Sequence, residues 1–212
     1  MFSDGGCASR MRAAVKTRPR TKPAEERREE LMNAAQRLFL KRGVGATTIE
    51  QITTGAAVAK GTFYLYFSSK EDVLAALRGR FGKDLAARIR TAVAKNKGED
   101  WEKKLSAWAA AGVAGYLDSA QLHDILFHAS RPPPRKGLVK NPIIDGLVEL
   151  LQGGVAAGAW SVDDPEFTAV FLFNGLHSVV DHAQANEKRV DRSRLTHRSQ
   201  RLCLRAVGRQ GD

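Results

Sequence analysis

The sequence predicts an all-α protein in which an N-terminal three-helix unit is joined by one long helix to a larger C-terminal helical domain. Apolar residues recur every three or four positions along most of the chain, which is the period of a helix that buries one face. No segment alternates apolar and polar residues as a half-buried strand does. The 212 residues are 43% apolar, so the chain is long enough to bury a sizeable core.

The first predicted helix runs from Glu25 to Arg42, and its apolar residues recur at the helical period. Glutamates crowd its start and basic residues its end, which complements the helix dipole, and Gly43 ends it. A second periodic stretch runs from Lys70 to Val93. Because it is so long, we expect it to connect the N-terminal unit to the second half of the chain.

The stretch from Thr47 to Glu71 lies between these two helices and predicts a helix-turn-helix. It begins with Thr47-x-x-Glu50 and ends with Ser68-x-x-Glu71, and both patterns predict capping boxes. A short helix carrying Ile49 and Ile52 is followed by a turn of small residues at 55–58 and by a second short helix at about 59–66. In this motif the second helix enters the DNA major groove.

The chemistry of the second short helix suits DNA. Val58 and Phe63 are expected in the core, which leaves a polar and aromatic edge outside. Gly61 allows the backbone to approach a base edge, and the hydroxyl of Thr62 can donate or accept. Tyrosine and lysine suit phosphate oxygens. The predicted DNA-binding residues are Thr47, Thr48, Lys60, Gly61, Thr62, Tyr64, Tyr66 and Lys70.

These residues form the pattern Thr48-x-x-x-Ile52, Ala56-x-Val58-x-Lys60-Gly61-Thr62-Phe63-Tyr64-x-Tyr66-Phe67-x-Ser69-Lys70-Glu71. The pattern resembles the DNA-binding signature of TetR-family transcriptional regulators and covers residues 25–90. The resemblance implies a homodimer that binds a palindromic operator in double-stranded DNA and is released by a small molecule.

Two residues depart from that family's pattern. Ala57 stands in the turn where the family usually has glycine, and a positive φ there would cost alanine about 1 kcal/mol. Ala59 stands where the family usually has serine or threonine, so the second helix lacks a side-chain cap, a loss of about 1 kcal/mol. We therefore expect a slightly less rigid DNA-reading unit.

Charge is distributed unevenly along the chain. The formal net charge is +11, with 14 basic and eight acidic residues in 25–97 but six and 11 in 98–186. Neutralisation of DNA phosphates by the N-terminal half accounts for this asymmetry. Residues 1–23 are rich in arginine, lysine, glycine and proline, which predicts a disordered basic arm, either a solvated tail or a segment that follows the minor groove.

The remaining boundaries follow from the helical pattern. Residues 24–90 are predicted to be the DNA-binding domain, and residues 91–212 a ligand-binding and dimerisation domain. Residues 131–137 contain three prolines and predict a loop. The predicted helix over residues 170–180 has apolar side chains on nearly every side, so two of its sides must pack against other protein surface. The resemblance implies dimerisation through Pro165–Ala185 and Arg192–Val207, while burial within one chain is the alternative.

A ligand pocket is expected among aromatic and polar residues of the second half. For each residue alone, an ordinary core position is the better interpretation, but the resemblance implies a pocket among them. The acidic second half favours an apolar or cationic inducer. His177 and Asp181 lie one turn apart, and a hydrogen-bonded pair is favoured over a metal site, which needs more ligands. The pocket candidates are Trp108, Tyr116, His123, Phe127, Phe171, Asn174 and His177.

No catalytic set, cofactor motif or metal-ligand spacing is recognisable in the sequence. The two cysteines, Cys7 and Cys203, form no disulfide framework, which fits a reducing cytoplasm. No apolar stretch is long enough to predict a membrane span or a signal peptide. An enzyme with an accessory helix-turn-helix, and a constitutive regulator or activator without an inducer, remain as alternatives.

Overall fold

The computed structural model describes residues 23–127 and 141–208, and these residues form helices without any strand. The predicted basic arm, apart from Pro23, and the predicted loop at 131–137 lie outside these ranges. The described helices are α1 (Ala24–Arg42), α2 (Ile49–Gly55), α3 (Lys60–Tyr64), α4 (Lys70–Ala94), α5 (Trp101–Asp118), α6 (Ala120–Phe127), α7 (Pro142–Ala156), α8 (Pro165–Asn186) and α9 (Arg192–Val207). None of them is long and apolar enough to cross a membrane.

Two buried apolar clusters divide the structure. The first, which we call the head, is formed by α1, α2, α3 and the first half of α4, with Phe39, Ile52 and Phe63 fully buried. The second, which we call the body, is formed by the second half of α4 with α5, α7, α8 and α9. The expected all-α architecture, an N-terminal helix-turn-helix unit followed by a helical C-terminal part, is confirmed.

Helix α4 belongs to both clusters. Val73 and Leu77 are buried in the head, Leu85 and Ile89 in the body, and Phe81 packs against both. Its 25 residues extend about 37 Å at a rise of 1.5 Å per residue. A helix of that length with two buried stretches fixes the distance between the two clusters.

Helix α6 is a second connection between them. Its Leu126 is fully buried in the head cluster, and Arg78 of α4 donates a hydrogen bond to the Leu126 carbonyl. On the same helix, His123 is buried against Tyr116 of α5 in the body. A displacement of α6 therefore acts on both clusters.

Two of the later helices, α7 and α8, begin with a side-chain cap. Asn141 accepts a hydrogen bond from the amide of Ile143, and Asp164 accepts one from the amide of Phe167. A proline follows each cap, where its missing amide donor costs nothing. Within the body, α5 packs against α4 and α9, and α7 packs against α8.

Candidate nucleic-acid interface

The helix-turn-helix is held by a few local contacts. Ile52 of α2 and Phe63 of α3 are fully buried, so the two short helices are fixed against the head cluster. The turn between them closes through the Ala57 amide, which donates to the Thr54 carbonyl at 3.1 Å, and the Val58 amide, which donates to the Thr53 carbonyl at 3.0 Å. These contacts leave the opposite edge of α3 in solvent.

Both departures from the family pattern have the structural effect expected. Ala57 has φ of 53°, and among the described residues it is the non-glycine residue with positive φ, so it adopts a conformation that strains L side chains. Ala59 precedes α3 without any side-chain cap. The turn and the start of α3 are therefore held by backbone and core contacts.

The predicted capping boxes lie one residue too early. Thr48, not Thr47, caps α2, because its hydroxyl accepts from the Gln51 amide at 3.2 Å and the Gln51 side chain accepts from the Thr48 amide at 3.1 Å. Likewise Ser69 caps α4 by accepting from the Asp72 amide at 3.2 Å. Ser68 instead bonds to the Asp72 carboxylate through its amide and hydroxyl.

The same shift explains why Thr47 is wrong as a predicted DNA contact. Its side chain is completely buried, and its hydroxyl donates to the Gly43 carbonyl at 2.8 Å. Thr47 therefore stabilises the loop before α2 from the inside. The neighbouring Thr48 is exposed, and its capping hydroxyl still has a proton to donate.

Lys70 also points inward rather than towards solvent. Its ammonium donates to the Val44 carbonyl at 2.9 Å and to the Thr47 carbonyl at 2.7 Å. These bonds use two of its three donors and tie the start of α4 to the loop before α2. The main structural effect of Lys70 is to position the groove described next.

A surface groove of about 420 Å³ lies where the starts of α2 and α4 meet the end of α3. Four of the eight predicted DNA-binding residues border it, and the first turn of α4 brings backbone amides and the positive dipole end to one side, an arrangement that favours phosphate. The lining residues are Gly45, Thr47, Thr48, Ile49, Glu50, Tyr64, Ser68, Ser69, Lys70 and Glu71.

The other predicted contacts lie along α3 beside this groove. Tyr64 is 52% exposed and spans from α3 into the groove. Gly61 is exposed with open space around its Cα, whereas Thr62 and Tyr66 are half-buried. Lys60 is exposed and forms an ion pair with Glu50, and this hydrogen-bonded pairing raises the pKa of Lys60 and lowers the pKa of Glu50.

That ion pair was not foreseen from the sequence, although Glu50 was assigned to the first turn of α2. Both partners are more than half exposed, and exposed pairs are weak because water and salt screen them. A phosphate that approaches Lys60 can therefore replace Glu50. Until then Glu50 neutralises the one lysine on the exposed edge of α3.

In the body, the structure brings four predicted pocket residues together. Tyr116 is the centre: its ring centroid lies 4.2 Å from that of His123 and 4.7 Å from that of His177. Phe127 stacks on His123 at 4.6 Å. Trp108 is buried elsewhere in the body cluster, and its indole N–H makes no hydrogen bond within the described residues.

Asp181 joins this group through Tyr116 rather than through His177. The Tyr116 hydroxyl donates to Asp181 Oδ1 at 2.5 Å and lies 2.9 Å from His123 Nδ1. Since the hydroxyl has one proton, it must accept from His123, which places a proton on His123 Nδ1. Burial and the Asp181 hydrogen bond raise the pKa of Tyr116.

The expected His177–Asp181 hydrogen bond is therefore wrong. His177 Nδ1 instead lies 3.2 Å from the Phe173 carbonyl of its own helix, and burial lowers the pKa of His177. No three potential metal-ligating residues converge within the described ranges.

Two of the predicted pocket residues do not face the interior. Phe171 is 65% exposed, and Asn174 is exposed with its amide bonded to the Val170 carbonyl at 2.7 Å. Both lie on the outer side of α8, because the inner side is taken by Leu172 and Leu176. Sequence periodicity could not distinguish the two sides, since α8 is apolar on both.

Comparison with known proteins supports the geometry of the head. The model of the family described as "Bacterial regulatory proteins, tetR family" matches residues 31–77, a segment that contains α2, α3 and the groove. Residues 31–77 of this chain are therefore similar to the segment that this family's model describes. Over 67 residues it is 40% identical to the transcriptional repressor KstR2 of Mycobacterium tuberculosis, a match that covers 32% of this chain and 34% of KstR2. The chain thus spans about a third of the length of that relative.

Solved structures resemble the chain over most of its length. The fatty acid degradation regulator FadR from Bacillus halodurans superposes with a TM-score of 0.66 at 22% identity, covering 87% of this chain and 97% of FadR. A complex of SmeT with triclosan gives 0.62 at 19% identity, covering 88% and 93%. At these identities the likeness shows that the body adopts the same fold, not what it binds.

Proposed function

We propose that this protein is a DNA-binding transcriptional regulator, a repressor that binds a palindromic operator as a homodimer and releases it when a small molecule binds the body. The observation that carries the proposal is the exposed edge of α3 beside the groove formed by the starts of α2 and α4. That edge offers Lys60, Gly61 and Tyr64 to DNA, and the TetR-family match lies over the same elements.

The groove supports a division of roles between phosphate and base contacts. Tyr64 and Thr48 offer hydroxyl groups at its rim, and the first turn of α4 offers backbone amides, which are donors suited to a phosphate. Gly61 and Thr62 occupy the first turn of α3, where recognition helices contact base edges. Thr62 therefore contributes to sequence preference, and Tyr64 to affinity on any sequence.

Selection of bound DNA from a random pool tests this proposal, because the recovered site reveals symmetry and spacing. Affinity for that site is then compared for Lys60→Gln and for Lys95→Gln, a matched change at an exposed lysine on the far end of α4. Lys60→Gln should weaken binding and reduce its salt dependence by about one counterion, while Lys95→Gln should not. Equal effects of the two changes would contradict an interface on α3.

The outer side of α8 supports dimerisation. Phe167 and Phe171 are 69% and 65% exposed, and Val170, three residues after Phe167 on the same side, is 45% exposed. Contiguous exposed apolar surface marks an interaction site. A symmetric partner placing its own α8 here would bury these rings and position two α3 helices for two half-sites.

Light scattering of Phe171→Glu tests the dimer. The buried charge should shift the protein to monomer and weaken binding to a palindromic site, whereas Gln152→Glu on the exposed side of α7 should leave the mass unchanged. A dimeric Phe171→Glu protein would place the interface elsewhere.

The buried polar groups of the body support a response to ligand. Tyr116, His123 and His177 form an aromatic cluster that contacts α6, and Trp108 provides an indole N–H with no hydrogen bond among the described residues. SmeT, which shares the fold, is known in complex with triclosan. A compound that separates α6 from Tyr116 would change the position of Leu126 in the head.

A thermal-shift screen with apolar and cationic compounds separates a sensor from a constitutive regulator or an activator without inducer. Stabilisation by one compound class together with loss of operator binding identifies the sensor. Stabilisation that leaves operator binding intact, or no stabilisation by any class, favours the alternative.

A further inference from the structure

A second cleft, of about 340 Å³, lies between the head and the body on the side of α4 that faces α1. Its volume is near the lower end of the range of small-molecule sites, about 300–1,000 Å³. Helix α1 forms one wall, α4 the floor, and the start of α6 with the residue before it the other wall. None of the predicted pocket residues lines it. The lining residues are Asn33, Gln36, Leu77, Arg80, Phe81, Asp84, Leu85, Arg88, Ser119 and Leu122.

The floor of the cleft has two parallel rows of side chains on α4. Leu77, Phe81 and Leu85 are spaced by four residues and form an apolar row, which Leu122 of α6 extends from the opposite wall. Phe81 and Leu122 are only partly buried, so they offer apolar surface to an occupant. A ligand with one small apolar group would cover that surface.

The second row consists of Arg80, Asp84 and Arg88, also spaced by four residues. Arg80 is already occupied: it donates to Glu29 at 2.6 Å, to Asn33 at 2.8 Å and to Gln36 at 2.7 Å. Its charge is therefore balanced within the protein. It closes the α1 wall of the cleft and offers little to a ligand.

Asp84 and Arg88 differ from Arg80 in having no such partners. Both are exposed, and neither makes a hydrogen bond or an ion pair with any residue in the described ranges. An acid four residues before a base is the favourable order for an ion pair along a helix, yet these two side chains remain apart. The cleft therefore presents one negative and one positive group about one helical turn apart.

This pair of charges selects among ligand classes. Arg88 would attract an anion, but Asp84 would repel it. A cation would be attracted by Asp84 and repelled by Arg88. A molecule with an ammonium beside a carboxylate satisfies both groups at once, which neither a simple anion nor a simple cation can do. Six of the ten lining residues are polar or charged, so a lipid chain is a poor fit.

We propose that this cleft binds a free α-amino acid with an apolar side chain. Asp84 accepts from the ligand's ammonium, Arg88 donates to its carboxylate, and the side chain packs on Phe81 and Leu122. The occupant contacts α1 of the head and Leu122 of α6 at once, so binding changes how the head is held against the body. This last step rests on the proposed DNA-binding function, whereas the binding itself does not.

Calorimetry and thermal shift on the full chain without DNA test the binding. The probes are L-phenylalanine and L-leucine at millimolar concentration, N-acetyl-L-phenylalanine, which lacks the ammonium, L-phenylalaninamide, which lacks the carboxylate, and glycine, which lacks the apolar group. At least one of the first two should bind and stabilise the protein. Each of the other three should bind about tenfold or more weakly, since each loses one contact to the cleft.

Variants locate the site. Asp84→Asn and Arg88→Gln should each lower affinity for the bound amino acid about tenfold or more, while Lys83→Gln and Arg90→Gln, exposed on α4 but outside the cleft, should leave it unchanged. Absence of binding by both amino acids, equal binding of the blocked forms, or insensitivity to both cleft variants would overturn the proposal.

A further experiment with operator DNA distinguishes failure of the amino-acid site from failure of the DNA-binding function. Titration of the bound amino acid into the protein–operator complex should change operator affinity, and Asp84→Asn should abolish that change without altering operator affinity in the absence of ligand. If the amino acid binds but operator affinity does not respond, the site stands and its regulatory role is overturned. If no operator is recovered, the DNA-binding function fails while the binding result remains.

Discussion

The buried hydroxyl groups of Thr47 and Thr53 in the head and of Tyr116 in the body are hydrogen-bonded in different ways. In the head, the buried hydroxyls of Thr47 and Thr53 bond to carbonyls four and three residues earlier in the chain. In the body, the Tyr116 hydroxyl reaches His123 and Asp181, which belong to α6 and α8. The buried hydroxyls of Thr47 and Thr53 thus bond within their own loop or helix, whereas the hydroxyl of Tyr116 connects three helices.

The two regions also differ in what they expose. The head presents Lys60, Gly61 and Tyr64 beside a groove with amide and hydroxyl donors, whereas α8 of the body presents the rings of Phe167 and Phe171. Polar donors suit DNA phosphates, and exposed apolar rings suit another protein surface. The difference supports the proposal that the head binds DNA and the body a second copy of the chain, although α4 and α6 connect them.

The largest effect that would test this comparison is expected from Phe63→Ala. Removing a fully buried ring should destabilise the head by about 3–5 kcal/mol. All three tryptophans, Trp101, Trp108 and Trp160, lie in the body. The head should therefore lose helicity by circular dichroism at a temperature where tryptophan fluorescence is unchanged.

Leu65→Ala is the matched control for that variant, because Leu65 is adjacent to α3 but 79% exposed, and it should have little effect. If fluorescence and circular dichroism changed together in the Phe63→Ala protein, the head and the body would be one cooperative unit.

A change of intermediate size in the body should come from Gly154→Ala. A methyl group at Gly154 would lie 2.1 Å from Trp160 Cε2, and that indole is fully buried and bonded to the Leu151 carbonyl at 3.0 Å. Because the ring has no room to move, we expect a loss of about 1–3 kcal/mol, measured by denaturant unfolding followed by tryptophan fluorescence.

Gly146→Ala provides the control on the same helix. Gly146 has open space around it, so alanine should stabilise α7 by about 0.5–1 kcal/mol. Opposite signs at the two glycines are the expected outcome. Equal effects would show that Trp160 does not restrict this face.

A smaller gain is expected in the head from Ala57→Gly. Ala57 has positive φ, and glycine relieves that strain, so the free energy of unfolding should rise by about 0.5–1 kcal/mol. Ala56→Gly, at an ordinary φ of −97°, should instead lower it. If Ala57→Gly were also destabilising in thermal unfolding, the turn would not be strained.

The smallest effect concerns pH and the body. Burial lowers the pKa of His177 below its ordinary value of 6.5, so the unfolded chain binds a proton that the folded chain excludes. The corresponding stability is complete above about pH 6.5 and is lost as the pH falls through the lowered pKa. Lowering the pH from about 7.5 to 5.5 should therefore reduce the free energy of unfolding less in the His177→Gln protein than in the unchanged protein.

Unfolding curves across that range test the prediction. His182→Gln is the comparison, since His182 is exposed on the same helix and its replacement removes a histidine without changing the buried position of His177. Identical slopes for the unchanged protein and His177→Gln would show that His177 does not contribute.

Much of the fold was predictable, because most of the described helices begin at local capping signals. The prolines after Asn141 and Asp164 mark two helix starts, and α9 has the predicted bounds Arg192–Val207. The predicted caps, Thr47 and Ser68, each lie one residue before the actual caps, Thr48 and Ser69, because adjacent hydroxyl residues fit the same pattern. Only the burial of Thr47 distinguishes the two threonines.

The candidate sites were predictable to different degrees. Exposure of Lys60, Gly61 and Tyr64 follows from the position of the core residue Phe63 on a short helix. The inward direction of Lys70 does not, because its acceptors, the carbonyls of Val44 and Thr47, come close only after the loop folds against α4. In the body, Phe171 and Asn174 were assigned to the wrong side of α8 because that helix is apolar all round.

The sequence by itself determined the helices, the turn between α2 and α3, and the edge of α3 that faces solvent, since these depend on residues within one or two helical turns of each other. Tertiary structure alone decided which partner Asp181 has, which side of α8 is exposed, and that Asp84 and Arg88 line a cleft between α1 and α6. The physical reason is that a side chain's partners across helices depend on packing, and periodicity within one helix does not specify what packs against it.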